Sequence, residues 1–261
     1  MEIGPIFRAL RHNKVRFGLI AVEVALTLAI VSNCLAILFE HRDAFLEPTG
    51  LDEENLIAIT TGPFGKSFDD ESFIDVVRER DLRMLRAIPG VHGATAIDFL
   101  PLGGSGSSWN RRPVGPKMEQ MEQYDTPHYA VSDGALQTMG LELIQGRDFR
   151  ESDFQNLPKD GESGEMNIIV TEAYGRLLFP NGDALGKAIG DPDYPVHEII
   201  IGIVRHLDNP WPRSDTRKHC TILPGKPGDS HRMQYLVRTE PGAMNTVFSQ
   251  IDESIRKVNN E

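Results

Sequence analysis

The longest apolar run in the chain is FGLIAVEVALTLAIVSNCLAILF, residues 17–39, broken only by Glu23 and Asn33 among strongly polar side chains. As a helix rising about 1.5 Å per residue it reaches about 34 Å, enough for a hydrocarbon core of about 30 Å. It is therefore expected to span a membrane. A cleaved signal peptide fits less well, because the run exceeds the usual apolar region and no A-x-A site follows. A lipoprotein signal would need small residues before Cys34, where Ser32 and Asn33 stand. A buried soluble helix would be shorter and more amphipathic.

After residue 40 the apolar spacing shortens to strand and helix periods. NLIAITT (55–61) reads as a strand. DDESFIDVVRERDLRMLRA (69–87) reads as a helix with apolar positions at Phe73, Val76, Val77, Leu82, Leu85 and Ala87, acids at its start and arginines at its end. VHGATAIDFL (91–100) returns as a strand, making a β-α-β unit. PLGGSGSSWNRRPVGPK (101–117) reads as an exposed glycine and serine loop, and QYDTPHYAV (123–131) as the next strand. SDGALQTMG (132–140) is a short helix capped by Ser132 or Asp133 and stopped by Gly140.

LELI (141–144) is then extended, and Gly146 turns the chain towards Arg147, Asp148 and Phe149. Two charges beside a glycine turn could belong to a catalytic site. The reading preferred here is a hinge between subdomains, with the charges tying the turn and Phe149 packed beneath it. NIIVT (167–171), ALGKAI (184–189), HEIIIGIV (197–204), CTILP (220–224) and QYLVRT (234–239) are further extended segments. EAYGRLLF (172–179) is a short helix ended by Pro180, and AMNTVFSQIDESIRKV (243–258) a closing amphipathic one. The expected fold class is α+β: a transmembrane helix followed by a mixed α/β domain of two subdomains.

Charge adds orientation. The formal net charge is −11 over 261 residues. Residues 1–16 carry Arg8, Arg11, Lys14 and Arg16 against Glu2, a local +3, which leaves −14 for the rest. Basic residues before the span and EHRDAFLE after it place the N-terminus in the cytoplasm and the main domain outside, which in a bacterium is the periplasm. Ile3, Ile6, Phe7 and Leu10 let the basic segment lie along the cytoplasmic membrane face. The acidic balance excludes a nucleic-acid binder. Glu23 has two readings of equal standing: it faces partner helices, or its side chain snorkels to the headgroups.

Candidate chemistry is sparse. Cys34 and Cys220 fall on opposite sides of the expected topology and offer no disulfide or metal knuckle. His206, Asp208, His219, Cys220 and His231 form the densest set of reactive types, without the spacing that fixes a metal or an acid–base pair. Ser105, Ser107 and Ser108 lack a G-x-S-x-G elbow, and no Walker sequence occurs, so the chain itself carries no site for ATP hydrolysis. No catalytic, cofactor-binding or metal residue is assigned, no cofactor is expected, and the chain is read as a non-enzyme.

Three stretches in order, VSDGALQTMGLELIQGRDF, NIIVTEAYGRLLFPNGDALGKAI and HEIIIGIVRHLDNPWPR, sit behind a correctly oriented span. Together they resemble the MacB-like, or FtsX-like, ABC-transporter permeases across nearly the whole chain. The resemblance implies a cytoplasmic basic segment at 1–16, a transmembrane helix at 17–39, a porter-like periplasmic subdomain formed by 40–140 and 228–261, and an inserted β-rich subdomain at 141–227. It implies an inner-membrane permease subunit, or a fragment of one whose three further spans would follow, that transmits ATP-driven motion for export or envelope processes. The partners it implies are a cytoplasmic ABC ATPase subunit, a second permease in a homodimer or heterodimer, and membrane lipid. The alternative is a single-span, membrane-anchored periplasmic sensory or binding module.

Overall fold

The computed structural model describes residues 14–62, 65–116, 118–158, 163–211, 214, 216–228 and 231–258. The amphipathic face expected at residues 3–11 lies outside them. The chain divides into two compact units, Met1–Pro48 and Thr49–Glu261.

In the first unit, helix α1 spans Lys14–Leu46 and has no apolar stripe, its hydrophobic side chains being distributed all round. Within it, Lys14–Phe39 is long and apolar enough to cross a membrane and is not buried against protein. Val22, Leu26 and Phe39 are exposed, which is the arrangement a hydrocarbon solvent would accept and water would not. The Thr27 hydroxyl donates to the carbonyl of Glu23 at 2.7 Å, so this polar side chain is satisfied within the helix.

The second unit begins with β1 (Leu56–Thr61), α2 (Glu71–Arg86) and β2 (Val91–Ile97). Asp70 caps α2, its carboxylate accepting from Ser72 N. The buried stripe is Ile74, Val77, Arg78, Leu82 and Leu85. Phe73 and Val76, expected on the apolar face, lie outside it, Val76 being 62% exposed. Each sits one residue, about 100°, before Ile74 and Val77, and the stripe through 74, 77, 82 and 85 leaves them on the flank. Strand β10 (Met233–Thr239) runs antiparallel between β1 and β2, with Val237 opposite both Ile57 and Ala94. The β-α-β unit is therefore split by the last strand of the chain. Helix α6 (Met244–Val258) covers the same face as α2, and Val247 and Ile251 join Ile57, Ile74, Leu85 and Val237 in one core.

The remaining strands close a ring. The segment expected to be a loop at 101–117 contains strand β3 (Ser107–Pro113), which pairs with β4 (Tyr124–Val131) and with β7 (Ala188–Gly190). From β7 the pairing continues through β8 (Val196–Val204) and β6 (Gly164–Thr171) to β9 (Thr221–Pro224). Strand β9 then pairs in parallel with β4, His128 opposite Thr221. Six strands thus form a closed barrel with no free lateral edge between them. Its interior holds Ile168, Val170, Ile189, Ile200 and Leu223, together with Tyr174 from α5 (Glu172–Leu178).

Two short elements complete the unit. Helix α3 (Ala135–Met139) ends at Gly140 in the left-handed region, φ 71°, as expected. Its N-cap is Gly134, with no side-chain cap, in place of the expected Ser132 or Asp133. Those two side chains are held by β2 and α2 instead. Strand β5 (Leu143–Gly146) adds to β8 beside β7, and α4 (Glu151–Gln155) follows it. Leu136 and Met139 of α3 pack with Leu236 of β10 and with Val131, Tyr129 and Ile222 of the barrel wall. This second core faces away from α2 and α6, because Leu236 alternates with Tyr235 and Val237 along β10.

Candidate functional site

The reactive residue types singled out in the sequence converge only in part. His206 Nε2 approaches Asp208 Oδ1 at 2.9 Å and Arg217 Nε approaches Asp208 Oδ2 at 3.3 Å. The His206 contact has ion-pair distance without hydrogen-bond geometry. The Asp208 amide donates to Thr49 O at 2.8 Å, and its carbonyl accepts from the Tyr129 hydroxyl at 3.0 Å. Asp208 therefore ties the loop after β8 to the residues entering the domain. Cys220 is fully buried and burial pushes its thiol well above the ordinary range, so no thiolate is available there. The His219 ring centroid lies 6.0 Å from that of Tyr174. Ser107 and Ser108 are in β3. Among the described residues no three His, Cys, Asp or Glu side chains group as a metal site.

The geometry that stands out lies where the two groups of strands meet. Among the described residues the three-stranded sheet β1-β10-β2 meets the barrel by strand pairing at one residue pair, Ile97 opposite Val131. Side chains complete what the short ladder lacks. Ser132 N donates to Ala96 O at 3.0 Å while the Ser132 hydroxyl accepts from Ala96 N at 2.8 Å. On the other flank Asp98 N donates to Ala130 O at 3.1 Å, and Asp98 Oδ1 accepts from Ala130 N at 3.0 Å and from Phe99 N at 2.8 Å. Arg86, at the end of α2, grips Asp133 with both terminal guanidinium nitrogens at 2.9 Å, and its Nε donates to Ala94 O. Burial raises the Asp98 carboxyl to about 7, against the opposing pull of the Ala130 and Phe99 amides and of Arg232.

A second polar set lies at residues 146–153. Gly146 has φ 79°, and a side chain there would stand 2.2 Å from Ile201 O. Arg147 donates to Asp148 O at 2.9 Å, and Phe149 packs against the second core, as the sequence suggests. The main partner was not legible there: Asp153, in α4, accepts from Arg147 Nη1 at 2.6 Å and Nη2 at 3.1 Å. Asp153 also accepts from Arg150 N at 2.7 Å and Asn167 Nδ2 at 2.7 Å. The Arg147 hydrogen bond leads the interactions that hold its carboxyl down at about 2. The charges close a turn instead of converging on a reaction site.

A third polar set lies inside the barrel. Arg111 and Glu198 are 5% and 1% exposed, and Arg111 Nε stands 2.8 and 2.9 Å from the two carboxylate oxygens. The guanidinium lies 4.4 Å from the Trp109 ring centroid, and Trp109 in turn stacks at 4.0 Å on His128. Burial raises the Glu198 carboxyl and depresses the His128 imidazole to about 4. A lone glutamate inside the apolar strand HEIIIGIV is the signal that could have pointed to this pair.

Among the described residues one surface cleft, of about 300 Å³, lies beside Arg86, His92, Asp133 and Thr138. Another, of about 520 Å³, lies beside Glu119, Asp191, Tyr194 and His197.

No family model and no curated protein matches the sequence. The fold does have counterparts. The periplasmic region of MacB from Actinobacillus actinomycetemcomitans superposes with a TM-score of 0.52 at 15% identity, over 84% of this chain and 90% of that one. The chain has the fold of the MacB periplasmic region. The extracellular domain of the noncanonic ABC-type transporter YknZ from Gram-positive bacteria covers 74% of this chain and 88% of its own, at 18% identity and a TM-score of 0.43. A domain of a protein described as a permease from Porphyromonas gingivalis covers 79% and 83%, at 19% identity and a TM-score of 0.45. The MacB-like fold agrees with the α+β class and the mixed helix and strand order read from the sequence.

Proposed function

We propose that this chain is a permease subunit, or a portion of one, of a MacB/FtsX-type ABC transporter in a bacterial inner membrane. One observation carries the reading: a MacB periplasmic fold over 84% of the chain, which also contains an N-terminal helix long enough to cross a membrane. The flanking charges favour a cytoplasmic N-terminus and a periplasmic main domain. In this role the chain performs no catalysis. A cytoplasmic ATPase subunit supplies the energy, a second permease completes the dimer, and lipid surrounds α1.

The periplasmic unit transmits motion between two lobes. The porter-like lobe, 40–140 with 228–261, would hold β1, β10, β2, α2 and α6; the inserted lobe, 141–227, would supply β6 to β9 of the barrel. Strands β3 and β4 belong to the first by sequence and to the second by pairing, which makes the β2–β4 contact a coupling element. A body of this kind passes displacement on because packed cores move as units and concentrate change at joints.

The test is co-purification of the native gene product with an ABC ATPase, followed by ATP turnover measured with and without the periplasmic unit. Recovery of a stable complex whose turnover depends on that unit supports the reading. Failure to recover any ATPase, together with a reading frame containing no further apolar spans, sinks it. The 520 Å³ cleft favours a second reading, a single-span binding module, since its size falls within the range of small-ligand sites. Ligand-dependent protection of that cleft in the absence of an ATPase would select it.

A further inference from the structure

We infer that Asp98 is a proton-operated latch on the joint between the three-stranded sheet and the barrel: neutral, it leaves the joint closed, and ionised, it draws water and the Arg232 guanidinium into it. The inference starts from connectivity. Among the described residues Ile97 and Val131 are the single ladder pair between β2 and β4, and Asp98 is the next residue. One of its oxygens, Oδ1, accepts from Phe99 N on the β2 side and from Ala130 N on the β4 side. The same atom therefore touches both parts of the joint, in the place where a longer β2 would have supplied main-chain acceptors.

The surroundings decide which protonation state suits the closed arrangement. The Asp98 carboxyl acts electrostatically on Tyr129 of β4 and on Cys220, just before β9, and burial keeps both neutral well above physiological pH. Asp208, from the loop after β8, acts on the same two groups with like sign. Arg232 faces Asp98 from the segment before β10, with its guanidinium 4.8 Å from the Phe99 ring centroid. Three amides, those of Ala130, Phe99 and Asp98 itself, and this one cation oppose a desolvation cost that is larger, so the closed joint binds the proton near neutrality. A protonated carboxyl keeps a carbonyl-type acceptor for the amides and sheds the charge. The ionised form regains hydration by loosening the β2–β4 contact, and the half-buried positions of Asp98, Phe99 and Ala130 provide the path.

The experiment uses the full chain in detergent micelles between pH 5.5 and 8.5. Hydrogen exchange is followed for peptides covering 96–100 and 128–132, normalised to the intrinsic pH dependence, and the Asp98 carboxyl is titrated by ¹³C NMR. Wild type should show about a tenfold rise in normalised exchange across its carboxyl titration, which a change of roughly 1.4 kcal/mol in opening would produce. Asp98→Asn keeps an acceptor oxygen and cannot ionise, so its normalised exchange should be flat. A carboxyl midpoint near 4 overturns the inference. So does a wild-type profile parallel to that of D98N. If D98N fails to fold, the wild-type midpoint and its coincidence with the exchange transition decide the matter. The outcome is independent of whether an ATPase binds.

Discussion

Replacing Glu198 by Gln tests the energetic reading of the barrel interior. The substitution preserves shape and one acceptor oxygen but removes the charge that neutralises Arg111. Both side chains are almost fully enclosed, so the guanidinium left behind cannot recover bulk hydration. Breaking a buried pair by removing one partner costs about 3–5 kcal/mol. Part of that is offset, because Arg111 still faces the Trp109 ring at 4.4 Å and donates to Asn110 O at 3.1 Å. A loss of about 3 kcal/mol remains, which for a unit of this size lowers the melting temperature by roughly 6–12 °C. The double replacement Arg111→Met with Glu198→Leu removes both charges and fills similar volume, and should fall within about 1 kcal/mol of wild type. Urea unfolding followed by tryptophan fluorescence suits the question, since Trp109 lies against Arg111 and reports the barrel directly. A single substitution costing under about 1 kcal/mol would show that the interior is wet or rearranges freely. A double replacement as damaging as the single would show that the pair stabilises the fold outright.

Gly146→Ala should destabilise the second unit by about 2 kcal/mol or more, since the added carbon meets Ile201 O and the left-handed backbone opposes any side chain; thermal unfolding measures it, and a neutral result would mean that β5 detaches without cost. Asp153→Asn should remove an acid-side dependence of stability: the folded carboxyl titrates at about 2, below its unfolded value, so its contribution is complete above about pH 4 and is lost as pH falls through 2. Chemical denaturation from pH 2 to 5 should show a steeper decline for wild type than for the variant. His128 and Asp98 should oppose each other. The neutral buried imidazole contributes stability above about pH 6.5 that is lost as pH falls towards 4, whereas the raised Asp98 carboxyl removes stability as pH rises from about 4 to 7. Wild-type stability should therefore vary little between pH 4.5 and 6.5, and D98N should rise with pH over that range; a flat profile for D98N would refute the His128 assignment.

Most elements could be read locally because their side chains obey a single period. The apolar run of α1, the β-branched strand β8 and the amphipathic α2 are fixed by neighbours within a few residues. Strand β3 could not be read that way, because its inward positions include Arg111, and an arginine among serine, asparagine and proline imitates a loop. What makes Arg111 an interior residue is Glu198, 87 positions later. Ring closure has the same character: His128 and Thr221 become neighbours only when β9 returns beside β4.

The joints extend this argument from fold to function. Arg147 announces a charged turn, but its partner Asp153 gains meaning only as the acceptor for Arg150 N and Asn167 as well. Asp98 precedes Phe99 and Leu100 in a stretch that reads as the end of an ordinary strand. Its chemistry comes from a β4 amide, from Arg232, and from burial at the start of the β2–β4 contact. A proton-binding group can thus be invisible in local sequence when the elements that desolvate it lie far away along the chain. For the same reason its affinity must depend on how those elements are arranged. Any movement that separates β2 from β4 hydrates Asp98 and lowers its proton affinity, and by linkage any loss of that proton favours the separation.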